Sequence, residues 1–223
     1  RGLTPDFIHA MAASGANRVS FGVQTLSATV QQAVGRIQPK VLLSEGIARL
    51  HEAGIGAINM DLMYGLPWQS ETSFAHSLAH LIKLRPARIS LYNYDHLPAR
   101  FKIQRQIPER TLPSPEEKLM MRTRAGDMLH QAGYQLIGMD NFVLPGDDLL
   151  RAREDGLLHR NVQGYTRHGD ADLIGLGVGA ISDLNALYAQ APCRIEEWQQ
   201  SVSKADWPLE RGYLLNRDDR LRR

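Results

Sequence analysis

The side chains with the greatest chemical potential lie in one short stretch, residues 157–182. Its first half carries ionisable, amide and phenolic groups, namely His159, Arg160, Asn161, Gln163, Tyr165, His168, Asp170 and Asp172. Its second half, residues 173–181, is apolar and contains three glycines. Glycines in an apolar strand let a ligand approach the backbone closely. The stretch therefore predicts a binding site in which polar groups lie beside a glycine-lined strand.

Two common kinds of site do not match this stretch. Gly175, Gly177 and Gly179 lack the G-x-G-x-x-G spacing of a dinucleotide-binding loop. The histidines and aspartates follow no established metal-ligand spacing, and Arg160 would repel a cation. We therefore expect a flat adenine or another organic cofactor to pack against the glycines, and no metal site.

Polar residues also stand at the ends of other predicted strands. Apolar, β-branched segments at 18–24, 56–65, 88–96, 134–142 and 172–181 alternate with helical patterns at 28–53, 70–84 and 115–132. This alternation predicts an α/β fold with a parallel sheet or barrel, in which ligands bind at the carboxyl ends of the strands. The polar residues at those ends are Gln24, Asp61 with Tyr64, Asn93 with Asp95 and His96, and Asp140 with Asn141.

Among these residues, Asp61 is the strongest candidate for a functional role. It lies between Met60 and Leu62, where a buried carboxylate needs a partner or a ligand. Gln24 taken alone is equally consistent with a turn residue, and Arg36 taken alone is typical of a solvent-exposed side chain.

Composition restricts the kinds of partner. The sequence has 26 Lys and Arg against 24 Asp and Glu, a net charge of +2, without the basic stripe that nucleic-acid binding requires. Its apolar runs are shorter than the roughly 20 residues of a membrane span, and no signal segment is recognisable. Cys193 is the only cysteine, so the chain offers no disulfide and no cluster motif. We expect a cytoplasmic monomer that binds neither nucleic acid nor membranes.

Both ends of the sequence suggest an internal piece of a longer protein. Thr4 and Pro5 predict a helix start with no strand before it. Asn216 is a suitable cap for a last helix, but the few residues after it would bury too little to hold a helix by themselves.

Several motifs resemble those of the oxygen-independent coproporphyrinogen III oxidases, a family of the radical S-adenosylmethionine superfamily. They are SFGVQ, VGRIQ, NMDLMYGLPWQ, LYNYDHLP, LPSPEEKL, GYQLIGMDNF, GLLHRNVQGYT and GLGVGAIS. SFGVQ and DLMYGLP also occur in haem chaperone-like relatives, whereas HRNVQGYT and GMDNF favour the oxidases. The resemblance implies an incomplete (β/α)6 barrel of parallel strands, with its later part in residues 1–185. The truncated start of a C-terminal helical region would follow in residues 186–223.

The resemblance also implies a reaction. Enzymes of this family decarboxylate coproporphyrinogen III oxidatively to protoporphyrinogen IX in haem biosynthesis, through a 5′-deoxyadenosyl radical. They need S-adenosylmethionine, an electron donor and a [4Fe-4S] cluster. The cysteines for that cluster are absent from this chain, so the chain alone is expected to be inactive. The alternative is a haem chaperone-like relative that binds haem without decarboxylating it.

Matched to the family motifs, six residues are expected at the S-adenosylmethionine site: Gln24, Arg36, Asp61, Asp95, Gln163 and Ile181. Arg36 is suited to a methionyl carboxylate, and Asp61 to an ammonium group or a ribose hydroxyl. Asp95 and Ile181 would contribute through the backbone or apolar packing, and Gln163 would lie beside the pocket. None is expected to act as an acid or base, because the hard step belongs to the cofactor.

Arg160 is the candidate for holding a propionate of the substrate, because a guanidinium group binds carboxylates with two parallel hydrogen bonds. The alternative is that Arg160 pairs with Asp170 or Asp172 and only orders its own loop.

Overall fold

The computed structural model describes residues 3–222. They form two compact units, unit 1 up to Leu150 and unit 2 from Arg151 onward. This division does not coincide with the domains predicted from the sequence, 1–185 and 186–223. A compact unit is not by itself a domain, so the predicted domain boundary stays a prediction.

Unit 1 contains a mixed five-stranded sheet in the order β1-β2-β3-β5-β4. Its strands are β1 (Arg18–Gln24), β2 (Ala57–Tyr64), β3 (Arg88–Asn93), β4 (Gln135–Gly138) and β5 (Asn141–Val143). The first three are parallel neighbours, which confirms the predicted α/β architecture. The single strand predicted at 134–142 is wrong, because β4 and β5 form an antiparallel hairpin. The chain reverses at Met139, whose φ of +48° is typical of a tight turn rather than a strand.

Helices connect and flank the strands. They are α1 (Pro5–Ala13), α2 (Ala28–Ala33), α3 (Lys40–Glu52), α4 (Glu71–Leu84), α5 (Pro115–Gln131), α6 (Asp148–Glu154), α7 (Ile195–Ser203) and α8 (Arg217–Arg222), with 3₁₀ turns at Lys102–Gln106 and Glu109–Thr111. Thr4 caps α1 as predicted, and Ser114 caps α5 in a reciprocal capping box with Glu117. Gly54 follows α3 with a φ of +81°, as expected for a glycine that ends a helix.

The parallel strands are apolar on one face and polar on the other. Ile58, Met60 and Leu62 of β2 are at most 1% exposed and belong to a buried cluster that includes Leu78 of α4 and Leu129 of α5. Burying a side chain of this size stabilises the fold by roughly 1.5–3 kcal/mol. Side chains alternate along a strand, so this packing turns the intervening residues toward the opposite face of the sheet.

Unit 2 consists of short antiparallel strands and helices. The strands form a hairpin, β6 (His159–Asn161) and β7 (Gly164–Thr166), and a sheet, β8 (Ile181–Leu184), β9 (Leu187–Gln190) and β10 (Arg211–Leu214). The strand predicted at 172–181 is wrong, because this segment folds back on itself. Leu173 and Asp183 exchange two backbone hydrogen bonds of 2.9 and 2.8 Å. Gly177 and Gly179, with φ values of +112° and +69°, supply the reversal that a straight strand would not allow.

None of the helices between residues 3 and 222 combines the length and the apolar character needed to cross a membrane.

Candidate functional site

Two of the predicted cofactor residues meet above a glycine of β1. Gln24 ends this strand with a φ of +65°, just after an irregularity in the pairing with β2. Arg36, which follows α2, donates a hydrogen bond of 2.6 Å from Nη2 to the carbonyl oxygen of Gly22. A Cβ atom at Gly22 would lie 2.9 Å from Gln24 Nε2 and 3.3 Å from Arg36 Nη2. The missing side chain therefore leaves the space in which the amide and the guanidinium group meet.

Asp61 lies on the neighbouring strand, where it pairs with Gly22. Its Oδ1 accepts a hydrogen bond of 2.7 Å from Asn59 Nδ2, and its Oδ2 accepts one of 3.3 Å from Ser20 Oγ. Burial raises the pKa of Asp61, and the hydrogen bonds from Asn59 and Ser20 lower it in part. The carboxylate is thus incompletely compensated and suited to a cationic or hydroxyl ligand. We call Gln24, Arg36 and Asp61, together with Gly22, the Gly22 cluster.

Asn59 connects the polar side chains of four strands. Its Nδ2 also donates to Ser20 Oγ at 2.8 Å, and its Oδ1 lies 3.1 Å from Ser90 Oγ. Ser90 Oγ is in turn 2.9 Å from Oδ1 of Asn141. Sequence reasoning missed the functional position of Ser20, Asn59 and Ser90. Their signal was the alternation of polar and apolar residues through most of β1, β2 and β3, which predicts a sheet with one polar face.

A second charged group lies at the start of the same strands. Arg88 bonds both oxygens of Asp147, at 2.7 and 2.9 Å, and Asp148 at 2.7 Å, while Arg18 contacts Asp148. Burial by itself would raise the pKa of Asp148, but the positive charges of Arg18 and Arg88 reverse this effect and hold the pKa below its ordinary value. These ion pairs bind the end of unit 1 to the sheet and have no free carboxylate for a ligand.

Asp95 follows the carboxyl end of β3, as predicted, and its side chain is exposed. Its Oδ1 accepts a hydrogen bond of 2.6 Å from Asn93 Nδ2, and its carbonyl oxygen accepts one of 3.1 Å from Gln104 Nε2. Close by in the chain, Tyr94 Oη lies 3.2 Å from His96 Nδ1. Asp95 therefore belongs to an ordered loop at the expected edge of the sheet.

Gln163 and Ile181 belong to unit 2. Gln163 lies in the exposed β6–β7 turn, where its backbone N–H donates to Asn161 Oδ1 at 2.9 Å. Ile181 begins β8 and is half-buried. A Cβ atom at Gly175 would lie 2.6 Å from the carbonyl oxygen of Ile181. The glycine at 175 is thus required by contact with the protein's own backbone, a reason that differs from the ligand approach expected from the sequence.

Arg160 is an exposed residue of β6, and its guanidinium carbon lies 6.0 Å from the centre of the Tyr165 ring. The predicted alternative, an ion pair with Asp170 or Asp172, does not occur between these described residues. Asp172 instead accepts a hydrogen bond of 3.0 Å from the backbone N–H of Asn185. Arg160 lines a polar cavity of about 1090 Å³ in unit 2. Other lining residues are His159, His168, Asp170, Asp172 and Arg220.

Within residues 3–222, no group of three or more His, Cys, Asp or Glu side chains is arranged to hold a metal ion. Cys193 is exposed and forms no disulfide.

Comparisons with known proteins find close relatives. The chain is 47% identical over 209 residues to the oxygen-independent coproporphyrinogen III oxidase of Pseudomonas aeruginosa, a match that covers 94% of the chain and 45% of the relative. It is 43% identical over 218 residues to the enzyme of the same name from Escherichia coli, with coverage of 98% and 48%. The match to the relative from Thermostichus vulcanus, at 40% identity, covers 94% of the chain and 65% of that protein. No protein-family model matches the chain.

A solved structure resembles the chain over its full length. This is coproporphyrinogen III oxidase from Escherichia coli, described as a radical SAM enzyme, with a TM-score of 0.88, 42% identity and coverage of 100% of the chain and 51% of that protein. The chain therefore has the fold of the matching part of that enzyme, as predicted. It spans about half the length of the first curated relatives that it matches.

Proposed function

The chain belongs to the family of oxygen-independent coproporphyrinogen III oxidases, and from this premise we propose that it forms part of a radical S-adenosylmethionine enzyme. The proposed reaction is the oxidative decarboxylation of two propionates of coproporphyrinogen III, which gives protoporphyrinogen IX. The observation that carries the proposal is the Gly22 cluster, where an arginine, a glutamine and a half-buried carboxylate converge on one sheet. Because the chain spans about half of its relatives, the activity is assigned to the full-length protein.

The chemistry of the Gly22 cluster fits S-adenosylmethionine. Arg36 uses one N–H group on the Gly22 carbonyl and keeps others for the methionyl carboxylate. Asp61 would accept from the methionyl ammonium group or from ribose hydroxyls, which would supply the compensation that its burial requires. The Gln24 amide would donate or accept beside them. When bound, S-adenosylmethionine supplies the radical chemistry that removes a hydrogen atom from a propionate side chain.

Asp95, Gln163 and Ile181 are proposed as further cofactor contacts because they match the family motifs. Asp95 would contribute through its ordered backbone, since its carboxylate already binds Asn93. Ile181 would offer apolar contact to the adenine, and Gln163 a polar contact from its exposed turn.

The [4Fe-4S] cluster does not fit the residues of this chain. A cluster of this type needs several thiolates, and the chain has the single exposed cysteine Cys193. We therefore propose that the cluster and its electron donor lie outside residues 1–223.

Arg160 is the proposed propionate-binding residue. Its side chain is exposed, has no carboxylate partner at Asp170 or Asp172, and lines the polar cavity of unit 2 beside His159, His168 and Arg220. The guanidinium groups of Arg160 and Arg220 suit a carboxylate ligand, while the aspartates Asp170, Asp172 and Asp183 line the same cavity. The contribution of the chain to catalysis is to bind, orient and exclude water. We also propose that the protein is a cytoplasmic monomer.

The activity is tested on the full-length protein after anaerobic reconstitution with iron and sulfide. Incubation with coproporphyrinogen III, S-adenosylmethionine and a low-potential reductant should yield protoporphyrinogen IX, measured as the oxidised porphyrin by chromatography. A protein that binds haem in a titration but leaves coproporphyrinogen III unchanged would contradict the proposal and favour the haem chaperone-like alternative.

The isolated chain provides a complementary test. Residues 1–223 should take up no [4Fe-4S] cluster and show no turnover, because one thiolate cannot replace the cluster ligands. Iron and acid-labile sulfide are measured after anaerobic reconstitution. A near-stoichiometric cluster on this chain would defeat the proposal that the ligands lie elsewhere.

A further inference from the structure

A buried glutamine connects the elements that carry Gln24 and Arg36. Gln31, on α2, is 6% exposed. Its Nε2 donates to the carbonyl oxygen of Thr25, the residue after Gln24, at 2.9 Å and to that of Gln38 at 3.0 Å. We propose that Gln31 is a positioning residue that holds Arg36 in place for S-adenosylmethionine. This inference rests on the proposed function of the Gly22 cluster.

Gln31 forms hydrogen bonds with the backbone of Arg36 and with the backbone just after it. The Gln31 carbonyl oxygen accepts from the backbone N–H of Arg36 at 2.9 Å. Two residues further on, the backbone N–H of Gln38 donates to Gln31 Oε1 at 3.1 Å. Both N–H groups and the oxygen of the side-chain amide are therefore used, and all of these bonds join the Arg36 segment or the end of β1.

The hydrogen bonds of Gln31 restrict the loop that carries the Arg36 guanidinium group. Arg36 is exposed and lies in the connection between α2 and α3, where a free loop would lose conformational entropy on binding a ligand. In the absence of the ligand, the Gln31 amide ties Gln38, just after Arg36, to Thr25 at the end of β1. The guanidinium group can then remain on the Gly22 carbonyl, oriented for a carboxylate.

The chain contains a matched control for a purely structural effect. Gln69 is also 6% exposed. It accepts from the backbone N–H of Leu66 at 3.1 Å and donates to the carbonyl oxygen of Met63 at 2.9 Å. None of these bonds involves Gln24 or Arg36, so Gln69 matches Gln31 in burial and chemistry but not in position.

The experiment compares Gln31→Met with Gln69→Met in the full-length protein. Equilibrium binding of S-adenosylmethionine and thermal unfolding are measured for both. Both variants should lose thermal stability, whereas only Gln31→Met should weaken binding, by about fivefold to tenfold, the value of one or two hydrogen bonds. Gln31→Asn, which keeps a polar amide, serves if Gln31→Met does not fold, and it should give a smaller loss in the same direction.

A double-mutant cycle with Arg36→Ala identifies the route of the effect. If Gln31 acts through Arg36, Gln31→Met should change the affinity less than twofold once the guanidinium group is absent. Equal losses with and without Arg36, or an equal loss in Gln69→Met, would overturn the inference and leave Gln31 as a structural residue. If Arg36→Ala itself leaves binding unchanged, the proposed cofactor site fails, and the role of Gln31 fails with it.

Discussion

The Gly22 cluster of unit 1 and the polar stretch of unit 2 differ in what supports their side chains. The Gly22 cluster stands on β1 and β2, strands of seven and eight residues whose apolar face is buried under helices. Its carboxylate is held by Asn59 and Ser20, and its arginine by the Gly22 carbonyl. The carboxylate and the guanidinium group are thus each fixed by neighbours that belong to the sheet.

The polar stretch of unit 2 is richer in chemical groups and less supported. Its strands β6 and β7 have three residues each, and Arg160, Gln163 and His168 are exposed. Arg160 has an aromatic contact at 6.0 Å rather than an ion pair. Functional groups work best when rigid elements and a surrounding shell hold them. A high density of reactive residue types therefore does not by itself indicate a preorganised site. We expect the two regions to differ in emphasis, with the charged cofactor-binding side chains Arg36 and Asp61 in unit 1 and the substrate contact of Arg160 in unit 2.

Arg36→Ala tests the cofactor role of unit 1 and should have the largest effect. Loss of a charge-assisted contact of roughly 1.5–3 kcal/mol should weaken S-adenosylmethionine binding by about tenfold to a hundredfold. Binding is measured at equilibrium on the full-length protein, with the cluster spectrum as a check that the rest of the site is intact. Arg49→Ala, which removes an exposed arginine paired with Glu45 on α3, should leave binding unchanged. Normal binding in Arg36→Ala would make Arg36 a structural residue.

Arg160→Gln tests the substrate role of unit 2. Its expected effect is a loss of decarboxylation on the order of tenfold, with S-adenosylmethionine binding and substrate-free cleavage retained, because a propionate would lose one charge-assisted contact. Arg167→Gln, another exposed arginine of unit 2, serves as the control. Unchanged substrate affinity and turnover would rule out the substrate role, whereas weakened cofactor binding would remove the difference between the two regions.

The sequence predicted the parts of unit 1 that depend on local patterns. Alternating apolar residues and the caps at Thr4, Ser114 and Gly54 predicted the parallel strands and most of their helices, and the structure confirms them. The continuous helical pattern predicted at 28–53 is wrong, because the structure divides it into α2 and α3. The sequence could not predict that Asn59 and Ser90 join β1, β2, β3 and β5, because this contact depends on strand order and register.

The wrong predictions concern segments where a local pattern has two solutions. The apolar run at 172–181 suits a strand, but Gly177 and Gly179 also permit a reversal, and the pairing of Leu173 with Asp183 selects the reversal. Similarly, the predicted strand at 134–142 contains enough turn-forming residues around Met139 to fold as a hairpin. In both segments the choice depends on long-range pairing, which a single sequence does not display.

The Asp148→Asn variant tests how much the ion pairs of Asp148 in unit 1 stabilise the fold, in comparison with an exposed ion pair in unit 2. The pKa of Asp148 is lowered in the folded state, so its stabilising effect is present above the ordinary value of 3.8 and is lost as the pH falls through the folded pKa. The variant should therefore be less stable at neutral pH, by about 1–2 kcal/mol, and should approach the parent protein in acid. Chemical denaturation across the acid range measures this difference. The matched change Asp218→Asn removes an exposed pair with Arg222 in unit 2, and it should have little effect at any pH. Equal losses in the two variants would show that burial of the ion pair does not distinguish the units.

Asp61→Asn should give the smallest change in stability, and its sign should be opposite to that of Asp148→Asn. Because burial raises the pKa of Asp61 above 3.8, the folded protein binds a proton more tightly than the unfolded chain. Below the pKa of the unfolded state the group is protonated in both states and does not lower the free energy of unfolding. As the pH rises through the pKa of the folded state, the charged carboxylate lowers the free energy of unfolding.

An asparagine at position 61 can accept a hydrogen bond from Asn59 and form one with Ser20 without the buried charge. We expect the variant to be as stable as the parent protein in acid and equally or slightly more stable at neutral pH, by less than about 1 kcal/mol, while its affinity for S-adenosylmethionine falls. Denaturation curves at both pH values and equilibrium binding test the two halves of this expectation. A clear loss of stability at neutral pH would mean that the ionised carboxylate stabilises the sheet through its hydrogen bonds to Asn59 and Ser20, and Asp61 would then be a structural residue rather than part of the ligand site.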